Sequence, residues 1–340
     1  MLTELGITLP VLAAPMAGGP TTPELVIAAG RIGSMGFLAG GYKTPRALAD
    51  QIATVRAEGV PFGVNLFVPN PMPASSEDYL AYRRALEAEA DRYDVHLPEV
   101  PIEDDDRWAA KIDLLLADPV PVVSFTFGLP DREIISALRS AGSIVVHTVT
   151  SAHEAKCAAE AGTQALVVQA PAAGGHYATL TPDQPPRPDI PAPQLIGEVR
   201  DATALPLIAA GGISEPPDVT AALRAGAEAV AVGTALLRTR ESGASTVHKD
   251  ALVSPEFDTT VVTRAFTGRP ARALRNHFAD RYGPIAPCAY PALHHLTSAL
   301  RKAATTAGDT RLIHLWAGTG HRHAEVEPAA DTLTRLAGHV

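Results

Sequence analysis

Leu207-Ile-Ala-Ala-Gly-Gly-Ile213 and, one helix further on, Ala229-Val-Ala-Val-Gly-Thr234 are the stretches whose reading decides the fold. Each is a run of small and branched apolar residues that stops at a glycine. The stretch between them opens at Asp218 and closes at Gly226 in the manner of a helix. A strand, a helix and a second strand, with no polar alternation in either strand, describe a parallel sheet covered on both faces. The same unit recurs toward the N-terminus. The runs that read as strands are Val11–Ala14, Gly36–Ala39, Phe62–Leu66, Val122–Phe125, Ile144–His147, Ala165–Gln169, Leu207–Ala210 and Ala229–Val232. Eight parallel strands alternating with helices close into a barrel, so the expected fold is an α/β chain forming a (β/α)8 TIM barrel.

The helix starts agree with this. Thr22-Pro23 and Thr44-Pro45 each place a capping hydroxyl before a proline, which is tolerated at the first helical position. Ser151 with Glu154 reads as a capping box, and Gly162 stops that helix. Two stretches break the repeat. Val68–Pro121 is an insertion after the third strand, with a helix expected around Tyr79–Tyr93 and then an acidic run, Glu103–Asp106, read as a solvated loop. After the eighth strand comes a more polar segment rich in Arg and His. The expected organisation is residues 1–240 as the barrel, 241–310 as a smaller substrate-covering segment, and 311–340 as a C-terminal segment returning to the barrel.

Composition narrows the function classes. Hydrophobic residues make up 46% of the 340 and aromatics only 5%, so a large core must be built from Ala, Val, Leu and Ile. The net charge of −9 argues against a nucleic-acid partner, because phosphate backbones select basic faces. Cys157 and Cys288 match neither metal-ligand spacing nor a disulfide framework, and Cys157 reads as a small core residue. No metal site is expected, although His294-His295 and His321/His323 were natural places to look. No secretory leader precedes the first strand, and no apolar run approaches the roughly 18–20 residues of a membrane span. These features predict a cytoplasmic enzyme with no membrane association and no obligate protein partner.

In a barrel the chemistry gathers at the C-terminal ends of the strands. After the first strand, Ala14-Pro15-Met16-Ala17-Gly18-Gly19 offers a bend of small residues to a flat ligand. Asn65 and Gln169 place one amide each at the ends of strands three and six, suited to the polar edge of a ring. Gly174-Gly175-His176 allows close backbone approach and presents one imidazole. Gly211-Gly212 and Val232-Gly233-Thr234 follow strands seven and eight, where barrels commonly bind phosphate. A phosphate-bearing ring cofactor fits this set, and flavin mononucleotide (FMN) fits best. No Rossmann fingerprint is present. His147, read as ending strand five, and Tyr290 are expected in the substrate pocket.

Taken in order, Ala13–Gly19 (AAPMAGG), Gly36–Tyr42 (GFLAGGY), Gly63–Phe67 (GVNLF), Val123–Gly128 (VSFTFG), Gln169–His176 (QAPAAGGH), Ala209–Ile213 (AAGGI), Tyr290–Thr297 (YPALHHLT) and Leu315–Gly320 (LWAGTG) resemble the nitronate monooxygenases, a family of flavin barrels. The resemblance spans nearly the whole chain. It implies FMN held at Met16, Asn65, Gln169, Gly174, Gly212, Gly233 and Thr234, and a catalytic histidine at His176. The substrate it implies is an alkyl nitronate, oxidised with O2 to a carbonyl compound and nitrite. A sister reading is a flavin-dependent NAD(P)H:quinone or enoyl-thioester reductase of the same fold. Family members often carry Glu-Ala-Gly-Gly-His-Arg where this chain has Ala172 and Tyr177 around Ala173–His176. That loss of charge predicts a preference for neutral alkyl nitronates, unless Arg264, Arg269, Arg272 or Arg275 reaches the site.

Overall fold

A computed structural model of the chain describes residues 3–184, 187 and 190–338; the middle of the proline-rich loop 181–193 lies outside them. The strands in chain order are β1 (Val11–Ala13), β2 (Gly36–Ala39), β3 (Phe62–Phe67), β4 (Val122–Thr126), β5 (Ile144–Val149), β6 (Ala165–Gln169), β7 (Gly175–His176), β8 (Leu207–Ala210), β9 (Ala229–Val232), β10 (Thr260–Thr263) and β11 (Ala271–Leu274). Eight of them, β1 to β6 with β8 and β9, form a closed parallel barrel. Closure is by β9 on β1, in the register Val11↔Val230, Leu12↔Ala231 and Ala13↔Val232. All eight expected strands are present, with ends shifted by at most two residues.

The helix caps follow the sequence in most details. The hydroxyls of Thr22 and Thr44 accept from the N–H groups of Leu25 and Ala47, and proline occupies the first turn of both helices. Ser151 accepts from the Glu154 N–H, but the box is only half closed. The Glu154 carboxylate turns instead to the N–H and hydroxyl of Thr150 and to the hydroxyl of Thr179. Asp218 sits inside the first turn of helix Pro216–Arg224, where it accepts from the Glu215 N–H, rather than opening the helix. The ring of outer helices is completed from the far end of the chain. Helix Ala329–Ala337 packs on β1 and between helices Pro23–Arg31 and Pro216–Arg224.

Strand parity sorts the side chains. Leu12, Phe37, Val122, Val146, Ile208 and Ala231 meet inside the barrel, whereas Val145, Val149, Leu166, Val168 and Val230 pack outward with the helices. Phe37 is the largest of this interior set and is 2% exposed. Its room comes from the glycine paired with it on the neighbouring strand, since a Cβ on Gly63 would stand 2.4 Å from Phe37 Cδ1. Large opposite small is how a tapered barrel interior fills without voids.

The insertion after β3 contains two helices, Ser76–Arg92 and Trp108–Ala117, of which only the first was expected. Trp108–Ala117 is the ordinary barrel helix preceding β4, and its apolar run of Leu114–Leu116 is too short to betray a period. Helix Ser76–Arg92 leaves the barrel altogether. Its buried Tyr79, Tyr82 and Leu86 share a core with Leu252, Phe266, Phe278, Leu293, Leu296, Leu300 and Leu315. The Arg- and His-rich segment therefore folds around an apolar centre of its own. Its polar look came from side chains on the outside and, as described below, around the cavity. The acidic run is not a solvated loop throughout. Asp106 makes a 2.7 Å ion pair with Lys111, which is 1% exposed, and accepts from the Tyr42 N–H. Cys157 is only partly buried, on a helix face rather than in the core. No described helix is long and apolar enough to cross a membrane.

Gly63→Ala should therefore act as an overpacking substitution in the barrel floor. It should lower unfolding stability by about 1–3 kcal/mol in chemical denaturation. An unchanged midpoint would mean that Phe37 has room to move that the packing does not show.

Candidate active site

The barrel mouth opens into a cavity of about 580 Å³ lined by the ends of all eight strands and by the second lobe. Ala14, Pro15, Met16, Asn65, Gln169, Gly174, Gly175, His176, Gly211, Gly212, Val232, Gly233 and Thr234 all border it. Two expected pocket residues do not. His147 shares the outward parity of Val145 and Val149, so it is buried between sheet and helices, and Thr148 reaches the cavity in its place. The error was one of strand parity, because β5 continues to Val149 and the inward positions are its even-numbered residues. Tyr290 stands behind the lining, with its ring centroid 5.9 Å from that of His176 and its hydroxyl on Tyr42.

The glycines at the β8 and β9 ends are structurally required. Gly211 and Gly212 take φ of 95° and 76°, and a Cβ on Gly211 would lie 2.7 Å from the Ala170 carbonyl oxygen. The N–H groups of Gly212, Gly233 and Thr234 meet no acceptor among the described residues. They lie on two adjacent loops and border the cavity, the last at the start of the short 3-10 helix Thr234–Leu236. Unsatisfied backbone donors bordering one cavity suit an anionic ligand. The Thr234 hydroxyl accepts from the Gly318 N–H, which ties the C-terminal segment to these loops.

Asn65 is 3% exposed, and its amide nitrogen donates to the hydroxyls of Ser124 and Thr126 at 2.9 and 3.0 Å. Its carbonyl oxygen meets no donor among the described residues. Gln169 has a different job from the one expected. Its amide nitrogen donates to the His176 carbonyl oxygen at 3.1 Å, and its oxygen accepts from the Ala178 N–H at 2.8 Å. The side chain thus staples the loop that carries the histidine. Further along, the buried Glu154 carboxylate accepts from the Leu180 N–H at 2.8 Å. On the other side β7 pairs with β11, with His176 opposite Ala271.

So anchored, His176 places its ring among Phe127, Tyr290 and Trp316, with Nε2 2.9 Å from the Thr267 hydroxyl. Nδ1 meets no partner among the described residues. Burial, and then the guanidinium groups of Arg269 and Arg301, push the imidazole from its ordinary 6.5 down to about 3. The histidine is neutral at physiological pH. It is a neutral hydrogen-bonding group, not the cation that an unperturbed value would make partly available.

No aspartate or glutamate lines the cavity. Of the four arginines considered from sequence, none borders it. Arg269, fully buried, stacks 4.0 Å above the Phe127 ring and donates to the Thr179 carbonyl oxygen. Arg272 donates to the Pro171 carbonyl oxygen at 2.8 Å, and Arg264 to that of Pro182 at 3.0 Å. Arg275 pairs with Asp280 at 2.8 Å. Tyr177 too lies outside the lining. The cationic lining comes from Arg301 and Lys302 on helix Ala292–Ala307, which sequence reasoning passed over. Ser124, Thr126 and Thr148 were also missed, although polar residues two apart within apolar strands are the signal of a wet inward face.

A closed eight-stranded barrel, unsatisfied backbone N–H groups at the ends of β8 and β9 and a neutral His176 on the same cavity define a (β/α)8 barrel whose mouth suits an anionic ligand. The chain matches the nitronate monooxygenase family model over residues 1–338, and it belongs to that family. A probable nitronate monooxygenase of Staphylococcus aureus strain Newman is 36% identical over 347 aligned positions, covering 99% of this chain and 95% of the relative. Among solved structures, the nitroalkane oxidase of Streptomyces ansochromogenes is 46% identical, with a TM-score of 0.93 and coverage of 99% and 96% of the two chains. FabK of Thermotoga maritima is similar at 25% identity, TM-score 0.75, over 98% and 93%. The family is flavin-dependent.

The depressed histidines set a pH dependence of stability. Burial lowers His147 and His248 to about 4, alongside His176 at about 3. Between pH 6.5 and these values the unfolded chain binds more protons than the native one, so stability rises with pH through that window and levels off above it. Denaturation midpoints should fall as pH drops below about 6.5, before ordinary carboxylates titrate. His147→Phe should shallow that slope. A midpoint flat from pH 7 to 5 would show that these imidazoles are solvated.

Proposed function

We propose that the cavity holds FMN and that His176 works on an alkyl nitronate beside it. The observation that carries this is the set of unsatisfied N–H donors at Gly212, Gly233 and Thr234, bordering a cavity that His176 also borders and that no carboxylate lines among the described residues. In this reading the two loops hold the cofactor phosphate. Ala14, Pro15 and Met16 border the ring, the Asn65 carbonyl oxygen takes a ring donor, and Gly174 and Gly175 give backbone approach. A side chain at Gly174 would collide with the backbone of Ala317 and Gly318, at 2.6 and 2.5 Å, so glycine also closes the C-terminal segment over the site. Bound flavin supplies the electron acceptance from a nitronate that no side chain here provides, with O2 consumed and a carbonyl compound and nitrite released.

The protein's part is binding, orientation and proton handling. Thr267 fixes the His176 ring through Nε2, which leaves Nδ1 toward the ligand. Neutral at working pH, that nitrogen can accept a proton from a nitroalkane carbon or hydrogen-bond a nitronate oxygen. Residues 241–310, together with helix Ser76–Arg92, serve as the cover over the mouth and exclude bulk water.

The purified protein should release FMN, and not FAD, on heat denaturation. Gly233→Asp should abolish retention by setting a carboxylate against the phosphate. Nitronate added with oxygen should yield nitrite. Stoichiometric NAD(P)H oxidation without nitrite would instead support the reductase reading.

His176→Ala should keep flavin and lose roughly 100–1000-fold in turnover, the usual scale for one transition-state hydrogen-bonding group. A flavin-loaded His176→Ala enzyme with near-normal turnover would remove the histidine from the mechanism.

A further inference from the structure

A nitronate is an anion, and placing one in a buried cavity costs several kcal/mol unless a cation or several donors receive it. His176 cannot be that cation, because it sits neutral in an apolar ring of Phe127, Tyr290 and Trp316. Among the described residues the cavity wall carries one buried permanent cation. Arg301 is 5% exposed and borders the space. Its Nε donates to the Thr297 hydroxyl at 2.9 Å and one terminal nitrogen to the His294 carbonyl oxygen at 2.9 Å, so two arms of the fork are fixed on its own helix. The other terminal nitrogen, Nη1, has no acceptor among the described residues, and no carboxylate forms an ion pair with the group. His294, against which the fixed arm also rests, stacks on Tyr42 with centroids 4.2 Å apart, which fixes the ring that the arm rests on.

A buried arginine with a spare donor, no counter-ion and an open cavity beside it is an expensive arrangement unless an anion completes it. Arg301 shares the cavity wall with His176: the Tyr290 ring lies 5.9 Å from the His176 ring and 6.5 Å from that of His294, the residue whose carbonyl oxygen the guanidinium holds. We infer that Arg301 is the specificity-determining residue that receives the negative charge of the substrate's planar nitronate group, with His176 on the same group as the neutral hydrogen-bonding partner. This rests on the nitronate reading above. It divides two tasks that a single cationic histidine would otherwise combine: Arg301 selects the anion, and His176 positions it and handles the proton. Lys302, exposed at the rim, adds attraction on approach but is free to move and fixes nothing.

Inorganic nitrate, a planar oxyanion that cannot be oxidised, is the probe. Titrated into the flavin-loaded wild type it should perturb the flavin spectrum and compete with nitronate. Arg301→Gln should weaken nitrate binding by roughly tenfold to a hundredfold, the scale of a hydrogen bond to a charged group. It should raise KM for the nitronate in step, while KM for the corresponding neutral nitroalkane stays within about twofold. Nitrate binding and nitronate KM both unchanged in a flavin-loaded Arg301→Gln enzyme would overturn the inference. Arg301→Lys keeps the charge but not the Thr297 and His294 contacts. It should retain most of the nitrate affinity, and a loss equal to that of the glutamine variant, or flavin loss in both, would make Arg301 a brace of the helix and nothing more. A wild type that binds nitrate through Arg301 but consumes no nitronate would defeat the functional reading while leaving the anion site standing.

Discussion

Closure of the barrel between β9 and β1, in the register Val11↔Val230, Leu12↔Ala231 and Ala13↔Val232, sets the first and last strand ends side by side. Everything at the mouth depends on that adjacency. It puts the Ala14–Met16 bend next to Gly233 and Thr234, and β8 beside β9 adds Gly211 and Gly212. None of these residues is reactive. Together they leave N–H groups without partners around one space, and a ring of hydrogen-bonded strands keeps those groups from collapsing onto each other.

The second lobe completes the site by holding a loop the barrel cannot hold alone. The segment after β6 carries His176 away from the sheet, and three devices return it: the Gln169 amide, the buried Glu154 carboxylate and the pairing of β7 with β11. The same lobe brings helix Ala292–Ala307 and, with it, the only buried cation on the cavity wall among the described residues. Phe127 and Tyr42, both non-glycine residues with positive φ of 85° and 64°, lie where lobe and barrel meet. Each costs on the order of 1–3 kcal/mol, offset by the stacking of Arg269 on Phe127 and of His294 on Tyr42.

The electrostatic character of the cavity runs against that of the chain. A protein with net charge −9 has built a cavity wall that carries an arginine, a lysine and several histidines and no carboxylate. Segregation of this kind favours anionic ligands at short range, while the surface charge governs solubility. Burial then keeps the imidazoles neutral, so the wall offers hydrogen bonds from histidine and charge from arginine.

The local features of the fold were legible in the sequence because they are written in local chemistry: apolar runs that end in glycine, hydroxyl caps ahead of proline, and glycines where only φ > 0 will serve. The eight strands, the two glycine cradles and the Gly174-Gly175-His176 turn follow from neighbours in the chain. Facing and charge state do not. His147 and Thr148 are adjacent, and only the barrel's parity decides which one sees the cavity. Gln169 reads equally well as a ligand or as a staple until the chain has folded back to place Ala178 against it. Arg301 looks like any helical arginine, since only the fold packs its helix against helix Ser76–Arg92 and turns that arginine to the cavity. The depressed basicity of His176 is likewise a property of surroundings gathered from Phe127, Tyr290, Trp316, Arg269 and Arg301. Sequence by itself determined the barrel and where its strands end; tertiary structure alone decided which side chains meet there and in what protonation state, because burial and field are sums over atoms that the chain brings together only on folding.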